Sequence, residues 1–233
     1  MRSEFLIMKT SRLIHASCVA TALAIAAVAA AAEPKTTTPD LADVPSEHGW
    51  KLINRSVTLI EKNGTKAIRL EGESGAGFVR LENFTFADGV IEFDSRGKNI
   101  VQHSFLGVAF HGADAKTYDA IYFRPFNFIS DDPARRSHAV QYISLPAHPW
   151  QKLRDQSPGK FESAIAPAPD PDGWFHARIV VVWPNVSVYV NDAKEPSLVV
   201  HQLSDRKRGW VALWVDVGGG DFADLRITSA TPP

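Results

Sequence analysis

The chain has 233 residues, 45% hydrophobic and 22% charged, a composition that supplies one sizeable globular core. Its formal net charge of −1 argues against nucleic acid or an anionic membrane surface as partner. A single cysteine, Cys18, leaves no disulfide framework and no zinc–thiolate site.

Residues 1–32 read as an export signal peptide. Lys9 and Arg12 form a basic start, residues 18–32 an apolar run, and Ala30-Ala31-Ala32 a small-residue cleavage pattern before Glu33. Residues 1–7, with acidic Glu4, suit a signal poorly, so Met8 reads as the true start. The apolar run is too short and too rich in alanine for a membrane span. Cleavage removes three basic residues (Arg2, Lys9, Arg12) and one acidic residue (Glu4), leaving 22 basic against 25 acidic and a net charge of −3. It also removes Cys18 and both methionines, and a cysteine-free mature chain suits a secreted or periplasmic location. Residues 33–47 read as a Thr/Pro-rich linker and 48–230 as a single domain.

From Trp50 the chain reads as strands. Residues 56–70 place Asn63-Gly64 between SVTLIEK and TKAIRL, the signature of a two-residue type I′ hairpin. Further strands are predicted at 77–81, 89–95, 104–111, 120–128 and 139–145. Residues 118–128, YDAIYFRPFNF, are the most aromatic stretch and carry an arginine and an asparagine. Alternation sets Tyr122, Arg124, Phe126 and Phe128 on one face, with Ile121, Phe123 and Pro125 on the other. Residues 146–171 form a long Pro-rich insertion whose Trp150, Lys152, Arg154 and Phe161 mark a folded-over loop. Strands at 174–183, 186–191, 198–203, 209–217 and 222–228 close the chain. The basic turn Arg206-Lys207-Arg208 and the Gly218-Gly219-Gly220 break fall between them. No segment keeps a helical period over three turns. The expected fold class is all-β, a two-sheet antiparallel jelly-roll sandwich.

The final cassette, WFHARIVV through VSVYVN, PSLVV, GWVALWV and GDFADLRI, resembles the closing strands of the concanavalin A-like lectin/glucanase superfamily. Trp174 opens a strand with Arg178 four residues on. A VYVN strand (188–191), a Gly-led VALW strand (209–214) and FADLRI (222–227) follow. Weaker similarity runs back through GVIEFD (89–94) and GVAFHG (107–112). The superfamily includes laminin-G-like domains, family 16 glycoside hydrolases and 3-keto-disaccharide hydrolase domains. The resemblance implies the jelly roll and leaves the activity to the site. It also implies a structural Ca²⁺ as the one possible cofactor. Asp224 matches the superfamily's calcium-holding Asp on the last strand, and Asp221 beside the Gly218–Gly220 turn is a second candidate.

Sugars present apolar C–H faces for aromatic rings and dense hydroxyls for fixed planar donors and acceptors. The groove-facing candidates for such a ligand are Tyr122, Arg124, Asn127, Gln141, His111, Trp214, Asp216 and Trp150. Glu92 and Asp94 share a face in VIEFD and resemble the start of the family 16 motif. Residues i and i+2 of a strand lie roughly 6.5–7 Å apart, near the separation of about 5–5.5 Å between the carboxyls of a retaining glycosidase. The third acid of that motif is missing, since Ser95-Arg96-Gly97 follows. The 3-keto-disaccharide resemblance asks instead for a base, for which His111, His138 or Glu92 are candidates. Arg135-Arg136 and the 206–208 turn read as solvated loop charges. The leading expectation is an exported domain that recognises a glycan or saccharide in a concave groove. The alternatives are a glycoside hydrolase, possibly one acting on 3-keto-glycosides, and a laminin-G-like adhesion or structural module.

Overall fold

A computed structural model describes Met1 and residues 33–230. The export signal expected in residues 1–32 lies outside the described residues. The strands run in chain order β1 (Lys35–Thr37), β2 (Trp50–Ile53), β3 (Val57–Lys62), β4 (Thr65–Leu70), β5 (Ala76–Leu81), β6 (Gly89–Arg96), β7 (Phe105–Asp114) and β8 (Thr117–Phe123). Helix α1 (Pro133–Arg136), β9 (Val140–Leu145), helix α2 (Trp150–Gln156) and β10 (Glu162–Ser163) follow. The chain closes with β11 (Phe175–Val182), β12 (Asn185–Val190), β13 (Leu198–His201), β14 (Trp210–Asp216) and β15 (Gly220–Ser229). Two 3-10 turns, Leu41–Ser46 and Pro125–Asn127, complete it.

These strands make two antiparallel sheets. The back sheet runs β13-β12-β11-β6-β15-β4-β3, with β1 also on β15, and the front sheet runs β10-β9-β8-β7-β14-β5-β2. This is the expected jelly-roll sandwich. Asn63 and Gly64 both take positive φ (50° and 81°) at the β3–β4 turn, the backbone a type I′ hairpin demands. One continuous core joins the sheets. It includes Ile91, Phe93 and Ile179 of the back sheet and Leu106, Ile121, Phe123 and Leu213 of the front. Phe123 meets Phe175 edge-on at 5.1 Å across the sandwich. Full burial of side chains of this size stabilises by about 1.5–3 kcal/mol each.

The two sheets differ in what their second face meets. In the back sheet, β6 and β11 alternate strictly between buried and part-exposed residues, so their outer face is solvated. In the front sheet, β8 and β9 are buried on nearly every residue. Something covers their second face, and α2 with its flanking segments supplies much of that cover.

Two expectations need correction. Residues 33–47 are not an unstructured linker. Lys35–Thr37 pairs with Ile227–Ser229, and Leu41 and Val44 are buried under Trp50, whose Nε1 donates to the Asp40 carbonyl at 3.1 Å. The expected strand over 120–128 stops at Phe123. Pro125 has no N–H to continue a ladder and starts the 3-10 turn instead. Phe128 therefore leaves the face of Tyr122 and packs edge-on against Phe175 in the core, at 5.3 Å.

Candidate functional site

The outer face of the front sheet bears a cavity of about 550 Å³. Tyr122 of β8 and Trp214 of β14 form its floor, with ring centroids 4.9 Å apart, and Phe105 lies 6.2 Å from Tyr122. Phe126, from the 3-10 turn, packs edge-on to Phe105 at 5.4 Å. Trp150, first residue of α2, stands at the wall and keeps 38% of its surface exposed. The cavity thus offers aromatic surfaces at two levels, which suits stacking against an apolar ligand face.

Arg124 follows β8 and is 4% exposed. Its guanidinium donates to the His138 carbonyl (2.8 Å), the Tyr122 hydroxyl (2.7 Å) and Gln141 Oε1 (3.2 Å), and it lies 4.8 Å over the Tyr122 ring. Burial lowers its pKa, and the fields of Tyr122 and Glu162 work against that. The group is fixed in place before any ligand arrives. Gln141 is fully buried, and its amide also donates to the carbonyls of Tyr142 and Phe161. It orients Arg124 from beneath and does not line the cavity.

Glu162, not singled out from the sequence, anchors this cluster. It sits on β10 opposite Gln141 and is 3% exposed. Arg154 of α2 grips it through both carboxylate oxygens, at 2.9 and 2.6 Å, while His138 Nδ1 lies at 2.9 Å and Arg124 at 3.9 Å. The bidentate pair ties α2 down onto the sheet. Arg154 also lies 4.8 Å over the Trp150 ring, so the same contact positions the tryptophan. Burial lowers the His138 pKa. Glu162 opposes this, and Arg154 and Arg124 add to it, so the ring stays neutral at neutral pH.

Asn127 lines the cavity and is 4% exposed. Its amide donates to the His138 carbonyl at 3.3 Å, whereas its Oδ1 has no partner among the described residues. A buried acceptor left unpaired fits one that a ligand hydroxyl completes. Asp216 ends β14 at the same cavity. Burial raises its pKa, with Arg55 and the Val217 amide opposing. Burial also pushes Tyr118 and Tyr122 up to about 12, so both hydroxyls keep their protons.

Of the eight ligand candidates, Tyr122, Arg124, Asn127, Trp150, Trp214 and Asp216 meet in this cavity, and Gln141 lies just beneath it. His111 does not. It takes a positive φ (49°) near irregular β7–β8 and β7–β14 pairing, and its side chain is fully buried elsewhere, against Phe86. Nε2 lies 2.7 Å from the Ala87 carbonyl and Nδ1 2.9 Å from Gln202. A carbonyl only accepts, so Nε2 carries the proton. The Gln202 amide, whose NH2 has no partner among the described residues, satisfies Nδ1 when turned end for end. A histidine with both nitrogens engaged in the interior is structural.

Glu92 and Asp94 share a face, as expected, but it is the outer face of the back sheet, across the sandwich from the cavity. His176 bridges them, 2.7 Å from Asp94 and 3.6 Å from Glu92, and Lys62 also binds Asp94. Burial pushes the Asp94 carboxyl up, but His176 and Lys62 outweigh it and hold it down at about 2. The Asp94 hydrogen bond raises the His176 pKa. Asp221 and Asp224 do not fit a calcium site. Arg69 and Arg96 occupy both oxygens of buried Asp221 at 2.7–2.9 Å, and Lys62 takes Asp224 at 2.6 Å. Two guanidinium groups and an ammonium neutralise the charge a divalent ion would need. No cluster of three or more metal-ligating side chains occurs among the described residues. Arg135, expected as a solvated loop charge, is exposed and also lines the rim of the cavity from α1.

No family model matches the chain, and no curated protein sequence does. Solved structures do. The carbohydrate-binding module CBM66 from Bacillus subtilis is 17% identical over 77% of this chain and 95% of its own, with a TM-score of 0.51. A Bacillus subtilis protein of unknown function with a galectin-like fold is 10% identical over 82% of this chain and 92% of its own, with a TM-score of 0.52. A structure described as a native glycosidic hydrolase is 12% identical over 85% of this chain and 96% of its own, also with a TM-score of 0.52. The fold is the concanavalin A-like, galectin-like jelly roll that the closing strands resemble.

Proposed function

We propose that this protein binds a saccharide in the front-sheet cavity, outside the cytoplasm. One observation carries the reading: Trp150, Tyr122 and Trp214 share the cavity with the fixed Arg124 guanidinium and the unpartnered Asn127 acceptor. The aromatic rings suit the C–H faces of a pyranose, and the planar polar groups suit its hydroxyls. The volume, about 550 Å³, accommodates a small oligosaccharide or the end of a longer glycan. The likeness in fold to a carbohydrate-binding module agrees with this reading. Export rests on the signal-like residues 1–32, and no described helix is long and apolar enough to cross a membrane.

A hydrolytic role is the second reading, and Asp216 favours it. A carboxyl whose pKa is raised by burial in the ligand cavity is suited to act as a general acid. Glu92, Asp94 and His111 lie away from this cavity and take no part in that reading.

The test is a glycan array run beside a sugar-release assay on wild type, Arg124→Ala and Asp216→Asn. Loss of binding in Arg124→Ala supports the groove, and binding that survives unchanged refutes it. Sugar release abolished by Asp216→Asn with binding retained makes the protein a hydrolase. No release from any bound glycan leaves it a lectin.

A further inference from the structure

We propose that the saccharide held in this cavity is anionic, carrying carboxylate or sulfate groups. The inference rests on the saccharide-binding reading and adds the charge of the ligand to it. Three arginines from separate segments line the cavity: Arg124 after β8, Arg135 in α1 and Arg154 in α2. Asp216 is the only carboxylate among the lining residues. Glu162 lies beneath them and is already shared by Arg154, Arg124 and His138. Behind Asp216, Arg55 is 6% exposed; among the described residues its hydrogen bonds go to the carbonyls of Asn54, Glu73 and Gly75, and the carboxylates of Asp216 and Glu73 both act on it. Three guanidinium groups thus line the cavity against one lining carboxylate, with Glu162 buried beneath them. Arg135 is exposed at the rim, with no side-chain hydrogen bond or ion pair among the described residues. It is the cation free to meet a ligand.

Arg55 stands behind Asp216 and offsets the one lining carboxylate that would repel an anion. A guanidinium fork matches the paired oxygens of a carboxylate or sulfate, and the partly enclosed setting strengthens the pairing over that in bulk water.

The experiment is calorimetric titration of the wild-type protein with three matched oligosaccharides: a uronate oligomer, a sulfated oligomer and a neutral oligomer. Tighter binding of an anionic oligomer, by about tenfold or more over the neutral one, is expected, with the gap shrinking as salt rises. Whether the uronate or the sulfated arm binds identifies which anion is recognised. Arg135→Gln is expected to reduce the anionic preference about threefold or more. Lys66→Gln, which removes a positive charge on the back sheet, should leave the preference in place. Equal affinity for the neutral oligomer overturns the inference while the groove reading stands. Failure of all three to bind overturns both. Equal losses in Arg135→Gln and Lys66→Gln assign the preference to overall charge and overturn the inference as well.

Discussion

Replacing Glu162 with Gln keeps the shape and an acceptor but removes the charge that holds α2 against the front sheet. Arg154 is 29% exposed on its side chain and can turn toward water, so its loss is partial. The Arg124 side chain is only 5% exposed and cannot, so it is left as a buried cation with neutral acceptors only: the Tyr122 hydroxyl, Gln141 and the His138 carbonyl. Breaking one side of a buried ion pair typically costs about 3–5 kcal/mol, and the partial escape of Arg154 places this case near about 3 kcal/mol. With a urea m-value of about 2 kcal/mol per molar for a domain of this size, the midpoint falls by about 1.5 M. Urea unfolding followed by tryptophan fluorescence measures it. Because Arg154 also lies over Trp150, saccharide affinity should fall in the same variant. A midpoint shift below about 0.3 M would show that Glu162 does not bind the insertion to the sheet, and the geometric account of the site would fail.

Trp150→Ala should weaken saccharide binding about tenfold with little change in the unfolding midpoint, since the ring is already 38% exposed; titration beside urea unfolding separates the two effects. Asp94, held at about 2 against its ordinary 3.8, contributes stability that is fully present above pH 3.8 and is lost as pH falls toward 2. The shift corresponds to about 2 kcal/mol, so Asp94→Asn should flatten the acid limb of a stability–pH profile, and an unchanged limb refutes the pairing. His176 runs the other way. Its raised pKa gives stability that is present below pH 6.5 and lost as pH rises through the folded value, a loss that His176→Gln should abolish. Calcium and EDTA should each leave the thermal midpoint unchanged, because cations from Arg69, Arg96 and Lys62 already occupy Asp221 and Asp224. A midpoint that rises with calcium would contradict that pairing.

Much of the β-strand pattern was legible in residue order. Alternation over 174–183 reads directly as β11, and Asn63-Gly64 reads as the β3–β4 turn, because both signals are local. The same alternation put Tyr122 with Arg124 and Trp214 with Asp216, and all four line one cavity. It misplaced Phe128, because Pro125 ends the strand and alternation no longer applies beyond it. Glu162 passed unnoticed because a single acid in a loop carries no periodic signal. Only the pairing of β10 with β9 sets it beside Gln141 and within reach of Arg154 and His138.

The sequence by itself determined most of the strands: which segments extend, where the clearest turns fall, and which side chains share a face within a strand. Those follow from backbone stereochemistry and a period of two, which act over a few residues. Tertiary structure alone decided which faces meet and which side chains become partners. It set Glu92 and Asp94 on the sheet opposite the cavity, filled both calcium candidates with basic side chains, and drew three arginines from distant segments around one aromatic floor. Such partnerships span tens of residues and depend on how the sheets stack, which no local pattern encodes.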